Sequence, residues 1–158
     1  VWFRTLEVKK KLNKQRRKLL MKVIIAGSRD INDYNIVLSA FSSCPFEITE
    51  IVSGCAKGVD TLGEQVADLI CVPICKFPAD WNKHGKAAGP IRNKQMADYA
   101  DAAIVIHNGS RGSLNMIEQM KKLNKPVYEV KLQKENRDGQ HLLNSPNSFM
   151  MGQIWIYR

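Results

Sequence analysis

Long apolar runs are missing from this sequence, and none approaches the ~20 residues that a membrane-crossing helix needs. Its four cysteines, Cys44, Cys55, Cys71 and Cys75, follow no regular spacing, and His84, His107 and His141 are scattered. A disulfide scaffold and a zinc pattern are thereby excluded, and the expected setting is a reducing cytoplasm. No Ser-His-Asp or Cys-His arrangement is legible from spacing. The common phosphate loops are also lacking: there is no G-x-x-x-x-G-K-[ST], and no G-x-G-x-x-G follows the first strand-like run. Acidic residues are nearly absent from the first twenty positions, where Glu7 stands alone against eight Lys and Arg. That stretch therefore holds +7 of the net charge of +9, leaving +2 for the other 138 residues. The remainder is close to neutral, so the total charge does not imply a basic groove for nucleic acid, and nucleic acid is not the expected partner.

The basic stretch 1–20 is set apart in a second way. Met21 is the first methionine, and Met21-Lys22-Val23-Ile24-Ile25 runs straight into the first apolar run. Gln15-Arg16-Arg17-Lys18-Leu19-Leu20 can be encoded as a purine-rich stretch containing AGGAGG, as a translated ribosome-binding site would be. The expectation is that Met21 is the native start and that 1–20 is a reading-frame extension. The alternative is a solvated basic arm that meets nucleic acid or another acidic partner.

What is present is a regular alternation. The chain has 158 residues, 44% hydrophobic and 25% charged, the size and composition of one globular domain. Strand-like runs fall at 22–26, 48–53, 73–77, 102–107 and 126–130, with helix-like stretches at 33–42, 58–70, 89–100 and 112–124. Val59, Leu62, Val66 and Leu69 recur at helical spacing, as do Leu114, Ile117, Met120 and Leu123. Asp33 and Ser113 stand where helix starts want them, and Pro126 opens a new strand. The alternation predicts an α/β fold, a parallel sheet of about five strands with helices on both faces. The order 3-2-1-4-5 places the ligand crevice at the carboxyl ends of strands 1 and 4, where the winding reverses. Residues 131–158 read as a tail, with turn signals at Asp138-Gly139 and Asn144-Ser145-Pro146. Its closing run Phe149 to Tyr157 is a sixth strand, a packing arm or an oligomer contact.

Three glycine-bearing turns each follow a strand-like run. They are Gly27-Ser28-Arg29-Asp30, Ser53-Gly54-Cys55-Ala56-Lys57-Gly58-Val59-Asp60 and Asn108-Gly109-Ser110-Arg111-Gly112-Ser113. Each brings backbone N–H groups, a hydroxyl and a cation to a strand end, and the last two open helices, whose N-termini attract anions. One such turn alone is more often plain architecture; three on one sheet edge predict a phosphate site. Arg29 can clamp a phosphate with two parallel hydrogen bonds, against a surface salt bridge as the alternative. Lys57 can meet a phosphate. Asp60 can accept from a ribose hydroxyl or a metal-bound water, or serve only as a first-turn acid. Cys55 is either a reactive thiol at a helix start or a small residue filling a turn. The stretch Pro78 to Asn93 mixes Trp81, His84, Lys86 and Arg92 with small residues, and Pro90 suits the first helical position. It reads as a lid, with Arg92 and Asn93 towards the same edge, or as a plain connection. Trp81 reads as a packing anchor rather than a base-stacking platform.

These motifs, with His84-Gly85-Lys86-Ala87-Ala88-Gly89-Pro90-Ile91-Arg92-Asn93 and Met96 in the same order, resemble the YspA-type branch of the SLOG superfamily over about residues 22–130. The superfamily also holds the LOG cytokinin-activating enzymes and the DNA-processing protein DprA. The resemblance implies a Rossmann-like domain, here 21–130, whose turns bind a nucleotide-derived ligand, as a sensor or ligand-processing domain. The implied contacts are Gly27, Ser28, Arg29, Ser53, Gly54, Lys57, Gly58, Asp60, Arg92, Asn93, Gly109, Ser110, Arg111, Gly112 and Ser113. No cofactor is specified beyond that ligand, with or without Mg, and no metal site is assigned. A homodimer is the assembly suggested by related proteins. LOG enzymes carry P-G-G-x-G-T-x-x-E with a catalytic glutamate, and Met116 stands at that position here. A LOG-like nucleoside-phosphate hydrolase would therefore need another acid, such as Asp60 or Asp80. DprA-like nucleic-acid binding would rest on the basic arm.

Overall fold

The computed structural model describes residues 2–133 and 153–155. Along the chain lie α1 (Trp2–Leu19), β1 (Leu20–Gly27), α2 (Tyr34–Ser43), β2 (Glu47–Ser53), α3 (Val59–Leu69) and β3 (Ile74–Lys76). They are followed by α4 (Trp81–His84), α5 (Ala88–Tyr99), β4 (Ala102–His107), α6 (Arg111–Lys122), β5 (Val127–Lys131) and β6 (Gln153–Trp155). One sheet forms in the order β3-β2-β1-β4-β5-β6. The first five strands run parallel, and β6 pairs antiparallel with β5 through Val127–Trp155, Tyr128–Ile154 and Glu129–Gln153. The expected α/β architecture and the strand order 3-2-1-4-5 are thus observed, and part of the closing apolar run is a sixth strand. The turn signals at Asp138-Gly139 and Asn144-Ser145-Pro146 lie outside the described residues.

Strand alternation sends side chains to two cores. Val23, Ile25, Ile51, Ile104 and Ile106 pack with Val37, Val59 and Val66 on the α2/α3 face. Ile24, Ala26, Val52, Ala103 and Val105 pack with Met96, Ala97, Met116 and Met120 on the α5/α6 face. Covered on both sides, β4 is buried along its whole length and reads as an unbroken apolar run.

Local chemistry sets the ends of the helices. Asp33 caps α2 by accepting from the Asn35 N–H at 2.9 Å. After α3, Cys71 takes φ 57° while Val72 N–H donates to Ala67 O and Cys71 N–H to Asp68 O. After α6, Asn124 takes φ 52° while Lys125 N–H donates to Met120 O and Asn124 N–H to Lys121 O. Both are Schellman endings that turn the chain back towards the sheet. Two expected starts are displaced. The N-cap of α6 is Ser110, with Ser113 three residues inside. The connection over 78–93 is helical sooner than expected: Asp80 caps α4 by accepting from the Lys83 N–H at 3.0 Å, and a turn of 3-10 helix (Gly85–Ala87) leads into α5, where Pro90 is the third residue. Its missing N–H costs nothing there, because first-turn donors have no partner within the helix.

Candidate functional site

The parallel sheet delivers the three glycine turns side by side at its carboxyl edge. Ser28 is the link between the first and third: its N–H donates to Ile106 O at 3.1 Å, and its hydroxyl donates to Ser110 Oγ at 2.9 Å and accepts from the Asn108 N–H at 3.2 Å. Ser110 Oγ continues to Ser113 Oγ at 2.7 Å. Asn108 Nδ2 donates to Asp30 Oδ2 at 2.7 Å, a second tie between the same turns. Behind them His107 is buried, with Nδ1 accepting from the Gly109 N–H at 3.0 Å and Nε2 2.8 Å from Glu129 Oε1. An accepting Nδ1 leaves the proton on Nε2, facing the carboxylate. The third turn is thus held rigidly from below.

Between the second turn and α5 lies an unusual polar cluster. Asp60, in the first turn of α3, is 3% exposed. Its carboxylate accepts from the Ala56 N–H at 3.4 Å. Burial pushes it up to about 6, against the opposing pull of the Arg92 guanidinium and the backbone N–H donors of Ala56 and Gly54. The Arg92 guanidinium donates to Gly54 O and, through Nε, to Asn93 Oδ1 at 3.1 Å. A Cβ at Gly54 would overlap the guanidinium and sit 2.9 Å from Asp60 Oδ2, so the turn must be glycine for the two charges to close over it.

Above this cluster opens a crevice of about 520 Å³, a size suited to a small organic ligand. Gly27, Arg29 and Asp30 line it from the first turn, Ala56 and Asp60 from the second, and Ser110 to Ser113 with Asn115 from α6. Trp81, Lys86, Gly89, Pro90, Arg92, Asn93 and Met96 line it from α4, the 3-10 turn and α5. Four cations, Arg29, Lys86, Arg92 and Arg111, face two acids, Asp30 and Asp60. The N-terminus of α6 adds its dipole, with no acid in its first turn and no side-chain cap. Low-dielectric walls and an excess of positive charge make this a place for an anion.

Not every predicted contact reaches the crevice. Gly54 and Lys57 line a neighbouring chamber instead. Ser28, Ser53, Gly58 and Gly109 line neither space. Ser53 is buried beneath its turn, donating to Glu64 Oε1 at 2.6 Å and accepting from the Cys55 N–H at 3.1 Å. Asn93 reaches the wall, but its Nδ2 is committed to Gly112 O at 3.1 Å and Asn115 Oδ1 at 3.0 Å, tying α5 to α6. Trp81 is no packing anchor: it is 49% exposed, with Arg29 Cζ 5.6 Å from its ring centroid. Asn115 and Lys86 were not among the expected contacts. Asn115 lies one helical turn beyond Arg111, a spacing from which it could have been found. Met116, at the position of the LOG glutamate, is fully buried in the α5/α6 core. Among the described residues no cluster of three His, Cys, Asp or Glu could hold a metal ion, and no helix is long and apolar enough to cross a membrane.

The chain is similar in fold to the X-ray structure of DNA processing protein A from Streptococcus pneumoniae, at 20% identity and a TM-score of 0.61 over 73% of this chain and 52% of that one. It spans about half the length of that protein. No curated protein matches the sequence. Residues 21–84 match the family model described as YspA, cpYpsA-related SLOG family. That segment contains the first two turns, Arg29, Asp60 and Trp81; the third turn and Arg92 come from the remainder of the same sheet-and-helix unit. The chain is therefore similar to the YspA, cpYpsA-related SLOG family over residues 21–84.

Proposed function

We propose that this protein binds a nucleotide-derived small molecule in the crevice at the carboxyl edge of β1 and β4, as a sensor or ligand-processing domain. The observation that supports it is the convergence of Arg29, Lys86, Arg92 and Arg111 with the uncapped start of α6 around one 520 Å³ space. Phosphate oxygens match guanidinium forks and free helix N–H groups, and the apolar wall of Ala26, Met96 and Pro90 suits a base or sugar face. A small ligand is favoured over nucleic acid because the cations line a recess rather than an extended groove. The likeness to DNA processing protein A concerns fold, and carries no argument for DNA.

A LOG-like hydrolase is the second reading, on the strength of one buried carboxylate, Asp60, that faces the crevice. It has to manage without the LOG acid, since Met116 is apolar and buried. Release of base from a nucleoside monophosphate, lost in Asp60→Asn, would favour it over simple binding.

The test is a thermal-unfolding screen of the full chain with mono-, di-, tri- and cyclic nucleotides. A ligand at one hundred times its Kd adds about 2.7 kcal/mol, a rise of about 5–11 °C for a chain of this size. Arg29→Ala should lose most of that rise while leaving the unliganded midpoint nearly unchanged, because Arg29 is exposed and surface substitutions cost little. A midpoint that no nucleotide moves removes the reading.

A further inference from the structure

The crevice wall holds a carboxyl group that the surrounding protein leaves poorly matched. Asp60 is almost wholly buried, yet among the described residues it forms no salt bridge. The Ala56 and Gly54 N–H groups favour its ionised form, but the bond from Ala56 is long, at 3.4 Å. Arg92 acts on it through space, while the guanidinium itself is committed to Gly54 O and Asn93 Oδ1. A buried carboxylate stays ionised when it has an ion pair or several good donors. Asp60 has neither in full, and it lines the crevice.

The charges around it decide what an anion meets there. Arg92 faces it from α5, with Arg29 and Asp30 from the first turn, Lys86 from the 3-10 turn and Arg111 from α6 around the same space. On its own helix Glu64 adds negative charge, and the Cys55 thiol of the second turn feels Asp60 in return. Lys57 lines the adjoining chamber. An oxyanion drawn in by the four cations therefore also meets one buried acid. Ionised, that acid repels the anion and offers its oxygens only further acceptors. Protonated, the same carboxyl becomes a donor. Burial already favours the neutral form, raising the group to about 6, and an anion alongside favours it further.

We propose that Asp60 serves as a proton-carrying hydrogen-bond donor to an oxyanion in the crevice, so that binding takes up one proton from solvent. The proton goes to the carboxylate, the anion keeps its own charge state, and no covalent bond in the ligand changes. The proposal rests on the anion-binding part of the reading above and adds its regulation. Acid strengthens binding, and by reciprocity the bound anion holds the proton. A crevice built this way keeps its ligand in mild acid and releases it as pH rises.

The experiment uses sulfate, an oxyanion that does not itself titrate between about pH 5 and 8, and the full chain carrying carbon-13 at its aspartate carboxyls. The sulfate Kd is measured by NMR titration at pH 5.5 and pH 7.5. The Asp60 carboxyl shift, assigned from its loss in Asp60→Asn, is followed across pH with and without sulfate. The wild-type Kd should rise about 25-fold between the two pH values, the ratio of protonated fractions for a group that titrates near 6. Asp60→Asn carries an amide donor at every pH and should hold its Kd within about threefold. Its remaining ionisable groups report any general gain of positive charge in acid. Saturating sulfate should raise the Asp60 midpoint by more than about one pH unit. An Asp60 midpoint that sulfate leaves in place or lowers overturns the proposal. So does a Kd that changes equally in the two proteins, or sulfate that fails to bind at pH 5.5. If a nucleotide still raises the melting midpoint after any of these outcomes, only the proton coupling falls. If none raises it, the nucleotide reading falls on its own account.

Discussion

Asp60→Asn is expected to stabilise the protein at neutral pH and to lose that advantage in acid. Burial raises the Asp60 carboxyl to about 6 in the folded state, from about 3.8 when unfolded. The folded chain therefore binds a proton more tightly than the unfolded chain does. For a raised acid, stability is fully present below the unfolded value and is lost as pH climbs through the folded one. The difference of about 2 pH units corresponds to a loss of about 3 kcal/mol by pH 7. Asparagine has the same shape and does not ionise, so the variant should avoid that loss. Urea midpoints of the two proteins should coincide near pH 4, diverge between pH 4 and 6, and differ most at pH 7. Parallel pH profiles would show that Asp60 is already neutralised by Arg92. The same variant bears on function, because an ionised carboxylate opposes an anion in the crevice. Removing its charge should strengthen phosphate binding at pH 7 if the acid serves only as a neighbour. It should weaken binding if the acid accepts from a ligand hydroxyl.

Gly27→Ala is expected to be among the most damaging single-methyl additions in the chain. A Cβ at that position would fall on Ile106 O and 2.5 Å from Val59 Cγ2. The first is a backbone atom of the central, fully buried β4, and the second is a β-branched core side chain at the start of α3. Neither can swing away as the end of a lysine would. Overpacking of this kind costs about 1–3 kcal/mol, and the upper end applies where backbone must move. For a chain of this length that upper end is a fall in Tm of about 6–12 °C. Gly112→Ala is the matched control, since a Cβ there meets nothing within 4 Å and the residue lies in α6. Its melting point should hold or rise, because alanine is the better helix former. Equal losses at both positions would mean that glycine in these turns answers to something other than space.

The legible parts of this protein are those written in neighbouring residues. Period-two and period-3.6 patterns, with Pro126 and the glycine turns as punctuation, outline β1 to β5 and the helices between them to within a residue or two. The switch between β1 and β4 follows, because right-handed crossovers leave few alternative orders. The short helix α4 is hardly legible, because four residues hold too little periodicity and an aspartate suits an N-cap and a free acid equally. β6 was one of three options for its segment, since three residues of strand depend on what edge is free to receive them.

Within the site the division is sharper. By itself the sequence determined that three glycine turns, the polar stretch 78–93 and an acid in the first turn of α3 would lie at one end of a parallel sheet. Residue type and spacing are enough for that. Only the tertiary structure decided how each polar group is used. Ser53 hydrogen-bonds downward to Glu64, Asn93 donates to α6, and Ser28 ties the first turn to the third. Trp81 stays out of the core beside Arg29, and Asn115 enters the wall. A serine or asparagine in a turn carries the same donors and acceptors whether it meets a ligand or a neighbouring strand. Which it meets depends on groups brought close by packing of distant segments, and that information is not local to the residue.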